Sequence, residues 1–263
     1  MKKRITLMLI CCFQALLSQD KTPEISLMNN KHLDADIYFG QDNSGYIYYS
    51  KDNVFYKNKD AEYLQYKNPA LGSITRVDID NPLNIVLFYE LFNVVISLDN
   101  QLNEIKRINF SNTTEQISVT ATGIASQNRL WIFNALNMRL GLYDVHKNFL
   151  QYIGTPFTMD IKFYHTDFNY FYWVDLQNNL HVCDIFGKTT FLGKIPNAEK
   201  VVFISNKELL ILKDNTLFWF NTSNNNLQNI DVDKKTLQNV SYKDQILTIF
   251  TKKEISNYKI ILP

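Results

Sequence analysis

A short pattern recurs along the chain and limits the folds that it can adopt. In each copy a polar turn leads into a run of four to eight residues rich in Ile, Val, Leu, Phe and Tyr, the composition of a buried strand. Successive copies lie 39, 45, 42, 38 and 37 residues apart, a period typical of propeller blades. The copies align on Tyr46, Ile85, Leu130, Tyr172, Leu210 and Leu247.

The units that repeat are predicted to be small antiparallel sheets. After the first strand, a second apolar strand often ends in Asp or Asn, and a third strand follows a polar turn. Because a four-stranded unit of this size cannot bury both faces alone, several must stack around an axis. We therefore predict an all-β fold, a β-propeller of six four-stranded antiparallel blades; a two-sheet sandwich array and rings of five or seven blades remain alternatives. The predicted blades span residues 33–68, 73–110, 116–156, 159–195, 199–231 and 236–263.

The last predicted blade is short, and the first strand-like segment of the chain has no blade of its own. This segment, Glu24 to Met28, precedes the first blade. If it pairs with the C-terminal blade, the ring closes and an exposed sheet edge disappears. We therefore predict that the two ends of the chain share one sheet.

The N-terminus has the layout of a secretory signal peptide. Lys2, Lys3 and Arg4 precede an apolar run from Ile5 to Leu17, which is too short to span a membrane, and the chain turns polar after Ser18. We predict a signal peptide at residues 1–18 and a single propeller domain at 19–263, exported to the periplasm. A buried N-terminal helix and a lipid anchor remain alternatives.

Composition argues against several classes of partner and cofactor. The net charge is +1 with no block of like charge, so no basic surface suggests a nucleic-acid partner. Cys183 is the one cysteine after the signal peptide, so the exported chain has no internal disulfide. The four histidines lack the spacing of metal ligands. We predict neither a metal nor a cofactor.

The common catalytic motifs are missing from the sequence. There is no G-x-S-x-G, G-x-G-x-x-G, P-loop or H-E-x-x-H pattern. Three carboxylate pairs have the spacing that places side chains on one face of a strand, but each lies near a strand end, where Asp commonly bonds to turn backbone. We therefore predict no catalytic residues and a protein that is not an enzyme. The pairs are Asp34 with Asp36, Asp78 with Asp80, and Asp231 with Asp233.

Two apolar segments are candidate partner-binding surfaces. The region from Phe157 to Trp173 is rich in aromatic residues; alternation places about half of them in the core, and the rest can form a patch for a protein or a carbohydrate. Leu91 and Phe92 occupy a hairpin tip, a position that is normally polar. Packing inside the fold is the alternative for both segments. The predicted partner-binding residues are Leu91, Phe92, Phe168, Tyr170 and Trp173.

One part of the chain resembles a known group of proteins. Three stretches, Asn81–Tyr89, Phe92–Val95 and Leu98–Ile105, are similar to exported proteins of Bacteroidetes, especially flavobacteria. The Ser18–Gln19 junction and the Asn- and Lys-rich composition are similar to those proteins too. Among these, the chain resembles the periplasmic plug subunit of the type IX secretion translocon. The resemblance implies no functional residue, but it implies a role in sealing an outer-membrane barrel from the periplasmic side.

These observations together predict a non-enzymatic propeller in the periplasm, associated with the outer membrane. Its expected partner is an outer-membrane barrel or translocon protein, with no membrane span of its own. The alternative is a periplasmic module that binds a glycan or a peptide, or an enzyme acting on a glycan, through the propeller channel or the aromatic patch.

Overall fold

The computed structural model describes residues 22–232 and 236–263, and the predicted signal peptide lies outside these residues. Six four-stranded antiparallel sheets form a ring, so the prediction of an all-β propeller with six blades is confirmed. Helix is limited, in the part of the chain that the structure describes, to the 3-10 turns Glu90–Phe92 and Phe110–Asn112. No helix of these described residues is long and apolar enough to cross a membrane.

Blades 1 to 3 each consist of four consecutive strands that pair in chain order. Blade 1 contains β2 (Ile37–Gln41), β3 (Ile47–Lys51), β4 (Val54–Lys59) and β5 (Glu62–Lys67). Blade 2 contains β6 (Arg76–Asp78), β7 (Ile85–Tyr89), β8 (Val94–Leu98) and β9 (Glu104–Asn109). Blade 3 contains β10 (Val119–Ala125), β11 (Arg129–Asn134), β12 (Arg139–Asp144) and β13 (Phe149–Tyr152).

Blades 4 and 5 repeat this arrangement, whereas blade 6 combines the two ends of the chain. Blade 4 contains β14 (Ile161–Thr166), β15 (Tyr170–Asp175), β16 (Asn179–Asp184) and β17 (Thr189–Lys194). Blade 5 contains β18 (Lys200–Phe203), β19 (Glu208–Lys213), β20 (Thr216–Asn221) and β21 (Asn226–Ile230). Blade 6 contains β22 (Asn239–Lys243), β23 (Ile246–Phe250), β24 (Glu254–Ile261) and, as its outer strand, β1 (Glu24–His32).

The ring closes through strand β1. It pairs antiparallel with β24, from Glu24 opposite Ile261 to His32 opposite Glu254, with one irregularity after Leu27. The predicted closing strand is thus confirmed, and it is longer than the segment that the sequence suggested. Closure pairs the outer edge of β24 and leaves the chain without a gap between blade 6 and blade 1.

The hydrophobic core lies between the blades. Among the described residues it divides into six clusters, and each cluster joins the facing surfaces of two neighbouring sheets. The inner strands of the blades are therefore buried on both sides. In blade 2, all five residues of the second strand, β7, and of the third strand, β8, are buried. This double burial explains the continuous apolar runs that mark the repeat.

The antiparallel order gives the ring two distinct faces. One face carries the hairpins between the second and third strands of each blade, together with the crossovers to the next blade; we call it the tip face. The opposite face carries the other hairpins of each blade. The first strands of the blades line a central channel.

Candidate functional site

Three neighbouring blades present a large apolar side chain on the tip face. Leu91 of blade 2 is 89% exposed, Leu136 of blade 3 is 63% exposed, and Leu176 of blade 4 is 60% exposed. Each lies at the hairpin between the second and third strands. We call these three residues the apolar tips. Because the three blades are consecutive in the ring, the apolar tips occupy one sector of one face.

The remaining three blades have polar residues at the same hairpins. Asp52 and Asn53 form a two-residue turn in blade 1, with both φ angles positive, as do Asp214 and Asn215 in blade 5. Such turns match the twist of the flanking strands. In blade 6 the hairpin contains Lys252 and Lys253. The apolar sector is therefore a local property of blades 2 to 4 rather than a general property of this fold.

The tip of blade 2 is held by polar contacts beneath it. Leu91 lies in a 3-10 turn that ends at Asn93, a residue in the left-handed conformation. The Asn93 amide donates to the carbonyl of Ile117 at 2.6 Å and accepts from the N–H of Val119 at 2.9 Å. Ile117 belongs to the crossover into blade 3, and Val119 is the first residue of β10. The apolar side chain is thus presented on an anchored turn.

The tips of blades 3 and 4 are anchored in similar ways. The N–H of Leu136 donates to Asn134 Oδ1 at 3.1 Å. In blade 4, Asp175 Oδ1 accepts from the N–H groups of Gln177 and Asn179, which flank the turn that contains Leu176. These bonds satisfy the turn backbone without using the exposed side chain.

The predicted partner-binding residues do not form one surface. Leu91 and Phe92 lie on the tip face, whereas Phe168 and Tyr170 are exposed at a hairpin of blade 4 on the opposite face. Their roles in binding a partner stay a prediction. The strand order shows that one flat partner cannot contact both groups at once.

Trp173 requires a correction, because it was expected in an exposed aromatic patch. It is only 4% exposed, and its ring stacks on Phe157 with centroids 4.2 Å apart. Successive residues of β15 alternate between two faces, and Trp173 shares with Phe171 the face that packs against blade 3. Its ring is part of the core between blades 3 and 4.

Sequence reasoning missed several exposed apolar residues, among them three at hairpin turns of blades 3 and 4. Leu136 and Leu176 occupy the same hairpin position as Leu91, and Phe186, which is 86% exposed, lies in a turn of blade 4 on the opposite face. The signal that identified Leu91, an apolar residue at a predicted hairpin tip, would have identified all three had it been applied to every blade.

A second feature, the central channel, contains a cavity of about 360 Å³. Tyr164, Phe203 and Tyr242 contribute aromatic surface to its wall. Ionisable side chains from the first strands of three blades also face it, and sequence reasoning singled out only the two carboxylates among them. These ionisable residues are Arg76, Asp78, Asp80, His165 and Lys200.

The carboxylates of Asp78 and Asp80 differ in their surroundings. Asp78 accepts from the N–H of Ile124 in blade 3 at 2.8 Å and from the N–H of Asp80 at 3.0 Å. Protein atoms surround the Asp80 carboxylate on several sides, but the residue is exposed to the channel. The surrounding protein, and next the charge of Asp78, raise the pKa of Asp80 to about 6. The expected turn role is therefore confirmed for Asp78, whereas Asp80 projects into the channel.

The other carboxylate pairs agree with a structural role as far as they are described. Asp34 forms an ion pair with Lys51, and Asp36 accepts from the N–H of Asp52 at 2.8 Å. Asp233 of the third pair lies outside the described residues.

The cationic and neutral groups of the channel are also shaped by burial. Arg76 places its guanidinium carbon 4.0 Å from the centroid of the Tyr164 ring. Burial, with a smaller contribution from Arg76, lowers the pKa of His165 to about 4, so this imidazole is neutral near pH 7. Burial lowers the pKa of Lys200 as well. Among the described residues, no three His, Cys, Asp or Glu side chains are placed to bind a metal ion.

No family model and no curated protein matches this sequence. Solved structures show similar folds. A streptogramin B lyase structure has a TM-score of 0.59 and 9% identity, covering 89% of this chain and 98% of that chain. A catalytically inactive virginiamycin B lyase from Staphylococcus aureus, solved with quinupristin, has a TM-score of 0.56 and 13% identity, covering 90% and 100%. BamB from Moraxella catarrhalis has a TM-score of 0.55 and 11% identity, covering 90% and 98%.

At these identities the likeness concerns the fold alone, but it corrects one prediction. The expectation that the chain is not an enzyme, which relied on missing catalytic motifs, is wrong, because solved structures with a similar fold include lyases. Missing sequence motifs do not exclude catalysis in a propeller, since side chains from several blades converge in the channel.

Proposed function

We propose that this propeller binds a protein partner through the apolar tips of blades 2 to 4. The observation that carries the proposal is the exposure of Leu91, Leu136 and Leu176 on one sector of one face. Exposing a large apolar side chain to water is unfavourable, and contiguous apolar surface rimmed by polar groups is typical of an interaction site.

The anchoring of the tips favours binding without a large rearrangement. Asn93 and Asp175 fix the turns of blades 2 and 4 through hydrogen bonds to backbone groups. A turn that is already ordered loses little conformational entropy when a partner covers it. The polar tips of blades 5, 6 and 1 then define where the contact ends.

In its finer form the proposal concerns an outer-membrane complex in the periplasm. The stretches Asn81–Tyr89 and Phe92–Val95 resemble exported flavobacterial proteins, and they flank Leu91 at the tip of blade 2. We take an outer-membrane barrel or translocon protein as the partner, with the plug of the type IX secretion translocon as the specific role. A rigid ring of blades could occlude a pore by its shape.

The test is a pull-down of the tagged protein from membranes extracted with mild detergent, with the bound proteins identified and quantified by mass spectrometry. Wild-type protein should recover a large outer-membrane barrel protein. The triple variant L91S/L136S/L176S should recover at least about tenfold less, because each truncation removes apolar contact area from the interface.

A matched control uses exposed apolar residues on the opposite face. The variant L83S/F186S should recover the barrel protein as well as the wild type does, since Leu83 and Phe186 are exposed on that face. Equal recovery by wild type and the tip variant would overturn docking through the tips. Recovery of free monomer alone from wild-type membranes would overturn the outer-membrane partner.

A further inference from the structure

The channel contains two partly buried cations, Arg76 and Lys200, that form no close ion pair with a carboxylate of the described residues. Arg76 extends from the first strand of blade 2 and Lys200 from the first strand of blade 5, and both line the 360 Å³ cavity. Among the described residues, neither forms an ion pair with a carboxylate within 4.0 Å. A charge removed from bulk water is normally paired, because its desolvation is costly.

Arg76 is fixed in place but has an unused donor. One terminal nitrogen donates to the carbonyl of Tyr164 at 3.3 Å, and the guanidinium lies over the Tyr164 ring. The Nε of Arg76 is buried and has no hydrogen-bond partner among the described residues. Because the printed bond uses only one of the four N–H groups on the two terminal nitrogens, the guanidinium keeps further donors for an acceptor in the cavity.

Lys200 and Thr166 add two further donors. Lys200 Nζ contacts the neutral amide oxygen of Asn239. Thr166 is only 1% exposed, yet its hydroxyl has no partner in the described part of the chain. A buried hydroxyl without a partner is rare in native structures and indicates an unobserved ion, ligand or water.

Asp80 interacts with the charge of Arg76, but neither Asp78 nor Asp80 forms an ion pair within 4.0 Å with Arg76 or Lys200. Both oxygens of Asp78 accept backbone N–H groups, from Ile124 and Asp80. Asp80 lies four residues beyond Arg76 along the chain, next to the part of the channel that Lys243 lines. The donors of Arg76 and Lys200 therefore remain available to a ligand.

We propose that the cavity binds a small oxyanion, a carboxylate or phosphate group, held by Arg76 and Lys200 and by the hydroxyl of Thr166. Guanidinium and ammonium groups form their strongest hydrogen bonds to such oxygens. A cavity of about 360 Å³ has room for the anion with several water molecules or for a small organic molecule that carries it. This site lies in the channel and is separate from the apolar tips.

Isothermal titration calorimetry tests the proposal with two probes, inorganic phosphate and acetate, at constant ionic strength set with chloride. Wild-type protein should bind at least one probe saturably, and the stronger probe identifies the kind of oxyanion. R76Q and K200Q should each weaken that binding by about tenfold or more, because each removes a charge-assisted hydrogen bond. K207Q, at an exposed turn of blade 5, should bind as the wild type does.

Circular dichroism of each variant establishes that it is folded. If R76Q is not folded, K200Q decides whether the site exists, because the Lys200 side chain forms one hydrogen bond among the described residues, to the neutral amide of Asn239. Equal binding by wild type, R76Q and K200Q would overturn the site, and so would the absence of saturable binding of either probe by wild type. The L91S/L136S/L176S variant should retain anion binding, so this test is independent of partner docking.

Discussion

At the scale of single residues, aspartates at equivalent hairpins have different roles. Asp42 and Asp167 directly follow the first strands of blades 1 and 4 and begin the hairpin turns. Their carboxylates accept hydrogen bonds from N–H groups of these turns. The carboxylate of Asp80, at the corresponding place in blade 2, accepts no hydrogen bond from the described residues. The sequence pattern at these positions is similar, so only the structure distinguishes a turn residue from a channel residue.

This difference predicts a pH-dependent stability. The pKa of Asp80 is raised from 3.8 to about 6, so the folded state holds this proton more tightly than the unfolded state does. The free energy of unfolding should therefore fall as the pH rises from about 4 to about 6. D80N should be more stable than wild type by about 1 kcal/mol at pH 7, a value reduced for screening by channel water, and equally stable at pH 4.

Urea denaturation of wild type and D80N at several pH values measures this difference. Curves of unfolding free energy against pH that run parallel for the two proteins would contradict a raised pKa of the Asp80 carboxyl in the folded state.

The candidate site was only partly predictable from single residues. Leu91 and Phe92 were identified because an apolar hairpin tip conflicts with the normal polarity of turns. Trp173 could not be assigned, because alternation along β15 defines two faces without showing which one meets the neighbouring blade. Arg76 and Lys200 gave no signal, since a cation in a strand looks like an ordinary surface residue until the ring encloses it.

At the scale of elements, the strands that are buried on both faces are the easiest to predict from the sequence. The second strand of each blade lies between two sheets, and β7 is buried along its whole length; such strands gave the repeat its apolar runs. Outer strands such as β5 and β17 are largely exposed, so they contribute little pattern. First strands vary in length, from three residues in β6 to seven in β10, so they gave the sequence no uniform apolar run.

Close contact between two first strands gives an element-scale prediction. A Cβ added at Gly123 of β10 would lie 1.9 Å from Thr166 Oγ1 of β14 and 3.0 Å from Asp78 Oδ2. G123A should therefore destabilise the fold by about 1–3 kcal/mol through overpacking, measured by chemical denaturation.

A second substitution serves as the control for this contact. T166A removes the hydroxyl that the new methyl group meets first, so the cost of G123A should be smaller in the T166A background. An unchanged cost would show that the clash with Thr166 is not the cause.

At the scale of the whole molecule, stability should depend on strand β1. Deleting residues 22–32 exposes the edge of β24 and opens the ring between its last and first blades. Even 3 kcal/mol lost would lower the melting temperature by about 6–12 °C. We expect at least this decrease in a thermal unfolding experiment, together with self-association detected by size-exclusion chromatography.

Two substitutions within β1 provide the matched comparison. Ile25 packs against the cluster between blades 5 and 6, whereas Leu27 is half exposed. I25A should therefore lower the melting temperature clearly more than L27A does. Equal effects, or a deletion variant as stable as wild type, would contradict a closing role for the strand.

The ring places on opposite faces residues to which the sequence analysis gave the same predicted role. Leu91 and Phe168 were candidates for similar roles, but they lie on opposite faces because their hairpins join different strands of their blades. The six-blade arrangement could be predicted from spacing alone. The sector of apolar tips could not, since it depends on comparing the same hairpin in every blade.

The pairing of Glu24 with Ile261 also has a consequence for how the protein is made. The partner of the first strand, β24, is synthesised after all the other strands of the ring, so earlier sheets can form in order while the ring is still open. Contacts so distant along the chain slow folding. A prematurely terminated product that lacks β24 would keep β1 without its pairing strand. The unpaired β1 would distinguish such molecules from those with a closed ring.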